Sequence, residues 1–170
     1  MVGILSVIVL LVSGCGGQSD ADKHYIAGNE FQEQGQLEEA IAEYDEAIGL
    51  DSEYAGAYNN RGSAYTKLGQ LNMVMRDYDE AIRIDPEFTV AYNNRGSTYF
   101  RLGQPERAIE EYNEAIRLNP EYAKAYSNRA LTYALLGKDS EAEMDVLQVI
   151  ELGVDPEGLQ SRIQELRFQR

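Results

Sequence analysis

Three stretches of this chain superimpose at a spacing of 34 residues. They are Ala-Tyr-Asn-Asn-Arg-Gly-Ser-Ala-Tyr from Ala57, Ala-Tyr-Asn-Asn-Arg-Gly-Ser-Thr-Tyr from Ala91 and Ala-Tyr-Ser-Asn-Arg-Ala-Leu-Thr-Tyr from Ala125. A weaker copy lies one period earlier, near Lys23-His24. A unit of this length is one supersecondary element that cannot bury its apolar face alone, so it must stack on its neighbours. The period therefore predicts an elongated solenoid with a long concave surface. Such a shape suits binding better than chemistry.

The register divides the chain into units at 21–54, 55–88, 89–122 and 123–156. Within the second unit Tyr58, Gly62 and Tyr65 fall at i, i+4 and i+7, and Val74, Tyr78, Ala81 and Ile82 continue the pattern after Leu68-Gly69-Gln70. This spacing predicts two amphipathic helices per unit. Gly35, Gly69, Gly103 and Gly137 supply the turns between them. Asp85-Pro86 and Asn119-Pro120 separate consecutive units. In the first unit Asp51-Ser52-Glu53 lacks the proline, but Asp and Ser can cap.

Residue size predicts the packing. Gly28, Gly62 and Gly96, with Ala130 in the same place, mark a close helix crossing, faced by Ala40, Val74, Ala108 and Ala142. Phe31, Tyr65, Tyr99 and Tyr133 fill the space beside it. Beyond the units, Asp155-Pro156 starts a last helix whose Leu159, Ile163 and Leu166 share one face. Residues 157–170 then read as a cap on the final unit, with a partner-binding helix as the alternative.

Tyr58, Gly62, Tyr65, Gly69, Tyr78, Ala81 and Pro86 match the signature spacing of the tetratricopeptide repeat, as do Tyr92, Gly96, Tyr99, Gly103, Ala108, Tyr112, Ala115 and Pro120. The chain thus resembles that family across its four units. The fourth departs at its end, where Val146 and Val149 stand for Tyr and Ala. The resemblance implies an all-α, right-handed α–α superhelix of four helix hairpins, completed here by the C-terminal capping helix. It also implies that the first helix of each hairpin lines a concave groove. The inward positions are then Asp22, Tyr25, Asn29 and Gln32, followed by Gly56, Asn59, Ser63 and Thr66. Val90, Asn93, Ser97 and Phe100 come next, and Lys124, Ser127, Leu131 and Ala134 close the set. The candidate peptide-binding residues among them are Tyr25, Asn29, Asn59, Ser63, Asn93, Ser97, Phe100, Lys124 and Ser127. Asn side chains offer donors and an acceptor to a peptide backbone, although the same groups could simply solvate the face.

Co-chaperone members of the family grip a C-terminal carboxylate with Lys, Asn, Asn, Lys and Arg. This chain keeps Asn29 and Asn60, but has Tyr25, Val90 and Asn94 where the bases belong. Shifted by one repeat, it keeps Asn94 and Lys124, while Asn59, Ser63 and Asn128 miss. That clamp is excluded. Arg61, Arg95 and Arg129 form a row whose expected role is structural: stems between hairpins, guanidiniums against nearby acids. The acids of the second helices (Glu38, Glu39, Asp77, Asp79, Glu80, Glu110, Glu111) are expected on a solvated convex face.

The first 19 residues carry no charged side chain, and Ile4 to Val12 is an apolar run broken only by Ser6. It is too short to span a bilayer, which takes about 20 apolar residues, but suits a secretory signal. Its positive flank is only the amino terminus. Val12-Ser13-Gly14-Cys15 resembles the lipobox of bacterial lipoproteins. That likeness implies a signal peptide over residues 1–14, cleavage before Cys15 and a palmitate-type lipid on its thiol. Residues 15–20 would form a flexible tether. Gly16 in place of Asp resembles outer-membrane sorting, so the expected location is extracytoplasmic, on the cell or outer membrane. The plainer reading is an uncleaved hydrophobic arm with an inert Cys.

Acids outnumber bases 29 to 15, a net charge of −14. That disfavours nucleic acid, whose phosphates need clustered Lys and Arg. His24, the only histidine, reads as a packing residue at the large-aromatic place of the first unit. No metal-ligand spacing, phosphate loop or catalytic constellation is present, so no cofactor and no small-molecule substrate are expected. Two functions remain. One is a lipid-anchored, non-catalytic scaffold that captures a peptide or protein in its groove. The other is a structural subunit of an envelope assembly, docking through the convex face or C-terminal helix.

Overall fold

Each unit folds as a pair of helices of similar length because a glycine interrupts its apolar periodicity halfway. In the computed structural model, which describes residues 18–169, the helices are α1 (Asp20–Glu33), α2 (Leu37–Leu50), α3 (Ala55–Leu68), α4 (Leu71–Ile84), α5 (Thr89–Arg101), α6 (Pro105–Leu118), α7 (Ala123–Leu135), α8 (Asp139–Glu151) and α9 (Glu157–Phe168). There is no strand among the described residues. The expected signal peptide, Cys15 and Gly16-Gly17 lie outside them. Ser19 and Asp20, assigned above to the tether, instead begin the fold. Ser19 caps α1 through a reciprocal pair of bonds, its Oγ accepting from the Asp22 N–H at 3.0 Å and its own N–H donating to Asp22 Oδ2 at 3.1 Å.

The within-hairpin turns use Gly69 at φ 74° and Gly103 at φ 70°, a left-handed conformation that side chains resist. The turns between hairpins share a different device. Asp51, Asp85 and Asn119, and likewise Asp155 before α9, each accept, through the side chain, the backbone N–H two residues on at 3.0 Å. This Asx turn explains why the first junction forms without a proline, and Ser52 is not needed for it.

The four hairpins α1–α2, α3–α4, α5–α6 and α7–α8 stack so that α3, α5 and α7 each lie on the second helix of the hairpin before. The core of each of the first three hairpins is a tyrosine from its second helix. Tyr44, Tyr78 and Tyr112 are 0, 1 and 1 % exposed. Each ring lies against the glycine 16 residues earlier. A Cβ on Gly28 would stand 2.6 Å from the Tyr44 ring, on Gly62 3.0 Å from Tyr78 and on Gly96 2.7 Å from Tyr112. The glycines are therefore forced by the tyrosines rather than by the expected alanines (Ala40, Ala108), which are buried one turn away. The fourth hairpin supports the same rule: Ala130 takes the glycine place where Val146 takes the tyrosine place, and both are buried.

α9 packs on α7. Ile163, with Leu159 and Leu166, covers Ala130, Leu131, Ala134, Ala142 and Val146. This covers the core of the last hairpin from the α7 side, while Met144 and Leu147 of α8, where a further hairpin would stack, stay exposed. No described helix is long and apolar enough to cross a membrane.

Replacing Gly96 by Ala is expected to destabilise the protein by roughly 1–3 kcal/mol through overpacking, and Tyr112→Val by about 3 kcal/mol through the cavity it leaves. The double variant, which copies the Ala130/Val146 pair, should cost clearly less than the sum. Urea midpoints of the two single variants and the double variant measure this. Strict additivity would mean that the ring and the missing side chain are not coupled.

Candidate functional site: the first-helix face

The polar residues of α1, α3, α5 and α7 are spaced so that a residue in one helix meets a residue 31 or 35 positions on in the next. This makes a ladder of amides. Asn60 Nδ2 donates to Asn29 Oδ1 at 2.7 Å and to the Tyr25 hydroxyl at 3.1 Å. Asn59 Nδ2 donates to Asn60 Oδ1 at 2.9 Å, and Asn94 Nδ2 to Asn59 Oδ1 at 3.0 Å. Asn93 Nδ2 reaches Asn94 Oδ1 at 3.4 Å, and Asn128 Nδ2 bonds Asn93 Oδ1 at 2.9 Å and Ser97 Oγ at 3.2 Å. The hairpin tyrosines join its ends. Tyr44 donates to Asn29 Oδ1 at 2.8 Å and Tyr112 to Ser97 Oγ at 3.3 Å. Burial pushes the Tyr78 and Tyr112 hydroxyls up to about 12, so at neutral pH they remain protonated.

Two expected contact residues are thereby withdrawn from a ligand. Asn59 is 4 % and Asn93 0 % exposed, and both side chains are spent on their neighbours. Burying an amide is favourable only when its hydrogen bonds are made, and the next hairpin supplies them here. The clue in the sequence was the doublet Asn59-Asn60 and Asn93-Asn94: one amide of each pair points to the hairpin before, the other to the one after. Ile26 stands at the Asn60 place of the first hairpin, where no earlier hairpin lies among the described residues. Leu131 and Ala134, expected at the groove, are covered by α9. Tyr25, Asn29, Ser63, Ser97, Phe100 and Ser127 are half-buried along the face, and Lys124 is exposed. Tyr25 is fixed by ring contact with Tyr54 at 4.9 Å. Ser97 and Ser127 donate back to their own helix, to the Asn93 and Ala123 carbonyls.

The arginine row sits behind this ladder, on the other flank of the same helices. Arg61 grips Asp77 with two N–H groups, at 2.9 and 2.6 Å, and reaches back to Asp45. Arg95 bonds Glu111 in its own hairpin and Asp79 in the one before. Arg129 does the same with Asp145 and Asn113. Each guanidinium thus ties three helices and also lies over a tyrosine ring, that of Arg61 5.3 Å from the centre of Tyr58. Asp77 is buried and Glu111 half-buried, which corrects their placement on a solvated face. Glu38, Glu39 and Glu110 are exposed as expected. Burial pushes the Asp77 carboxyl up, against the pull of Arg61. Burial alone would lower Arg61, but its bonds to Asp77 and Asp45 outweigh that and hold it charged. The first hairpin has Ala27 where the arginines stand, and His24 bonds the equivalent acid instead, Nδ1 lying 2.6 Å from Glu43 Oε2. His24 is therefore a hydrogen-bonding residue as well as a packing one.

These assignments separate structural from open polar groups. Asp77→Ala leaves the Arg61 guanidinium without its main partner and should cost about 3 kcal/mol. Asn93→Ala strands an Asn128 N–H and should cost roughly 1–3 kcal/mol. Ser63→Ala, with no partner to lose, should stay within about 0.5 kcal/mol of the parent. Chemical denaturation distinguishes the three; a neutral Asn93→Ala would dismiss the ladder as a stabilising element.

Tetratricopeptide repeat family models match residues 28–69 and 96–137, 55–88, and 77–110, without a gap from residue 28 to 137. No curated protein matches the chain. Among solved structures, MamA is similar at 25 % identity and a TM-score of 0.72, over 79 % of this chain and 78 % of that one. The thermophilic repeat protein TTC0263 of Thermus thermophilus has the same fold at 24 % identity and a TM-score of 0.76, over 88 % of this chain and 82 % of that one. The first repeat domain of Spaghetti (RPAP3), solved with the HSP90 peptide SRMEEVD, shares 27 % identity with a TM-score of 0.66, over 69 % of this chain and 94 % of that one. With its repeat period, hairpin stack and matched residues in agreement, this chain belongs to the tetratricopeptide repeat family.

Proposed function

We propose that the protein is a non-catalytic interaction scaffold whose first-helix groove takes a peptide or protein partner, and that a lipid on Cys15 holds it at the bacterial cell envelope. The observation that carries the first half is the division of labour on the groove face. The amide ladder and the arginine row engage the buried Asn59, Asn93, Asp77 and Asp145 side chains, whereas Gln32 Oε1 is buried without a partner. Tyr25, Ser63, Thr66, Val90, Phe100, Lys124 and Ser127 stay at least partly open. Such a surface, stiffened from beneath and mixed in polarity above, binds an extended segment at little conformational cost. A net charge of −14 leaves polypeptide rather than nucleic acid as the partner. The relatives support a scaffold role, one of them having been solved with a peptide.

A second reading draws on the opposite end. Met144 and Leu147 of α8 are 62 and 60 % exposed beside a groove of about 570 Å³ between α8 and α9. An envelope subunit that docks by its C-terminal end would cover these residues. Photocrosslinking separates the two. A benzoylphenylalanine at Val90 should give a discrete adduct in cells, and one at Leu147 should not. Adducts from Leu147 alone would favour the docking subunit.

The anchor rests on Val12-Ser13-Gly14-Cys15. Cys15→Ser should move the protein from the membrane to the soluble fraction and abolish labelling by a palmitate analogue. A variant that still sediments with membranes, unlabelled like its parent, would remove the lipid from the account.

A further inference from the structure

The groove is closed at one end by α9, which leaves the solenoid path. Where α3, α5 and α7 pack on the second helix of the preceding hairpin, α9 packs on α7, a first helix. This brings Arg162 of α9 to a pocket of about 190 Å³ on the groove face, lined also by Ser97, Phe100, Arg101, Asn128 and Leu131.

Most arginines of the described residues are paired with acids, Arg76 and Arg107 being exceptions that stand singly elsewhere, Arg107 on Gln104 and Tyr99. Arg61, Arg83, Arg95, Arg117, Arg129 and Arg167 each meet a carboxylate. No acid lines this pocket. Arg101 gives one N–H to the Thr66 carbonyl at 3.1 Å and is otherwise unbonded, while the exposed Arg162 has no hydrogen bond or ion pair with any described residue. Asn128 commits its N–H groups to Asn93 and Ser97, which leaves Oδ1 as an acceptor without a partner. Phe100 and Leu131 add an apolar wall. In a chain with so large an excess of acid, two guanidiniums without a carboxylate at one hollow amount to an anion site with an apolar neighbour.

We propose that this pocket binds a peptide carboxylate next to an apolar side chain. The proposal rests on the groove reading and names the chemistry that the groove selects. Arg101 and Arg162 donate charge-assisted bonds to the carboxylate. Asn128 Oδ1 accepts a peptide N–H, and Phe100 and Leu131 receive the apolar group. Neither arginine stands at a position of the co-chaperone clamp, and one of them comes from the capping helix. The acidic remainder of the surface opposes this weakly, because charges farther off than about 8 Å are screened at physiological ionic strength.

The carboxylate could be a chain terminus or an Asp or Glu side chain. Three labelled heptapeptide pools distinguish them by fluorescence polarisation with the full-length protein. One ends in Leu with a free acid, the second is its C-terminal amide, and the third is an amide with an internal Leu-Glu. At least one carboxylate pool should bind about 10-fold more tightly than the carboxylate-free amide, a difference of about 1.4 kcal/mol. The preference should vanish in Arg101→Gln/Arg162→Gln, which should stay folded because these exposed positions lose only the single Arg101–Thr66 bond. Preference for the first pool identifies a terminus, and for the third a side chain. Equal binding of all pools, or a preference that survives both substitutions, overturns the pocket. If that equal binding is weakened by Val90→Glu, the groove reading stands without it. If no pool binds, both fall.

Discussion

What joins the hairpins into one stack is a polar bond made again at each junction. An arginine of a first helix spans the second helix of its own hairpin and that of the hairpin before, as Arg61 does with Asp77 and Asp45. Beside it an amide crosses between first helices, as Asn94 does to Asn59. Apolar contact alone would let helices slide along their ridges, because hydrophobic attraction is non-directional. The two-pronged pair within a hairpin fixes the guanidinium, so that its remaining N–H and the amide that crosses the junction admit one register. The cost of burying them is met only when every partner is present. Repetition at each junction therefore sets the curvature of the face that a ligand would meet.

Within a hairpin the same economy holds in apolar form. The tyrosine of the second helix reaches across to the first, where a side chain is missing, and its hydroxyl continues to Asn29 or Ser97 on the groove face. Core and groove are thus one connected system in the first and third hairpins. The fourth gives this up. Ala130 and Val146 close the contact without a hydroxyl, and α9 covers them from the α7 side instead.

Much of the fold was legible in the sequence because it depends on periodicity: the hairpins, the glycine turns and the capping helix follow from spacing and residue size. The close contact was legible too, but its partner was not. Gly96 announces a near neighbour without saying whether that is Ala108 or Tyr112, which lie one turn apart on the same helix. The candidate site was harder. An asparagine facing solvent and one facing the next amide look the same in a single chain, and only the stacking offset separates Asn93 from Ser127. Likewise Asp77 reads as a surface acid until Arg61 is seen to reach it. The turn of α9 toward α7 had no sequence signal at all, since Leu159, Ile163 and Leu166 specify an apolar face and not the helix it covers.

The claim that groove-side amides hold the stack, rather than wait for a ligand, can be measured without perturbing the protein. In ¹⁵N NMR spectra the side-chain amide protons of Asn93 and Asn128 report directly on their bonds. The structure predicts dispersed resonances that exchange with water far more slowly than those of an exposed side chain such as Asn72. Exchange of Asn93 at the rate of a free amide would contradict it, and would return that residue to the ligand-facing role.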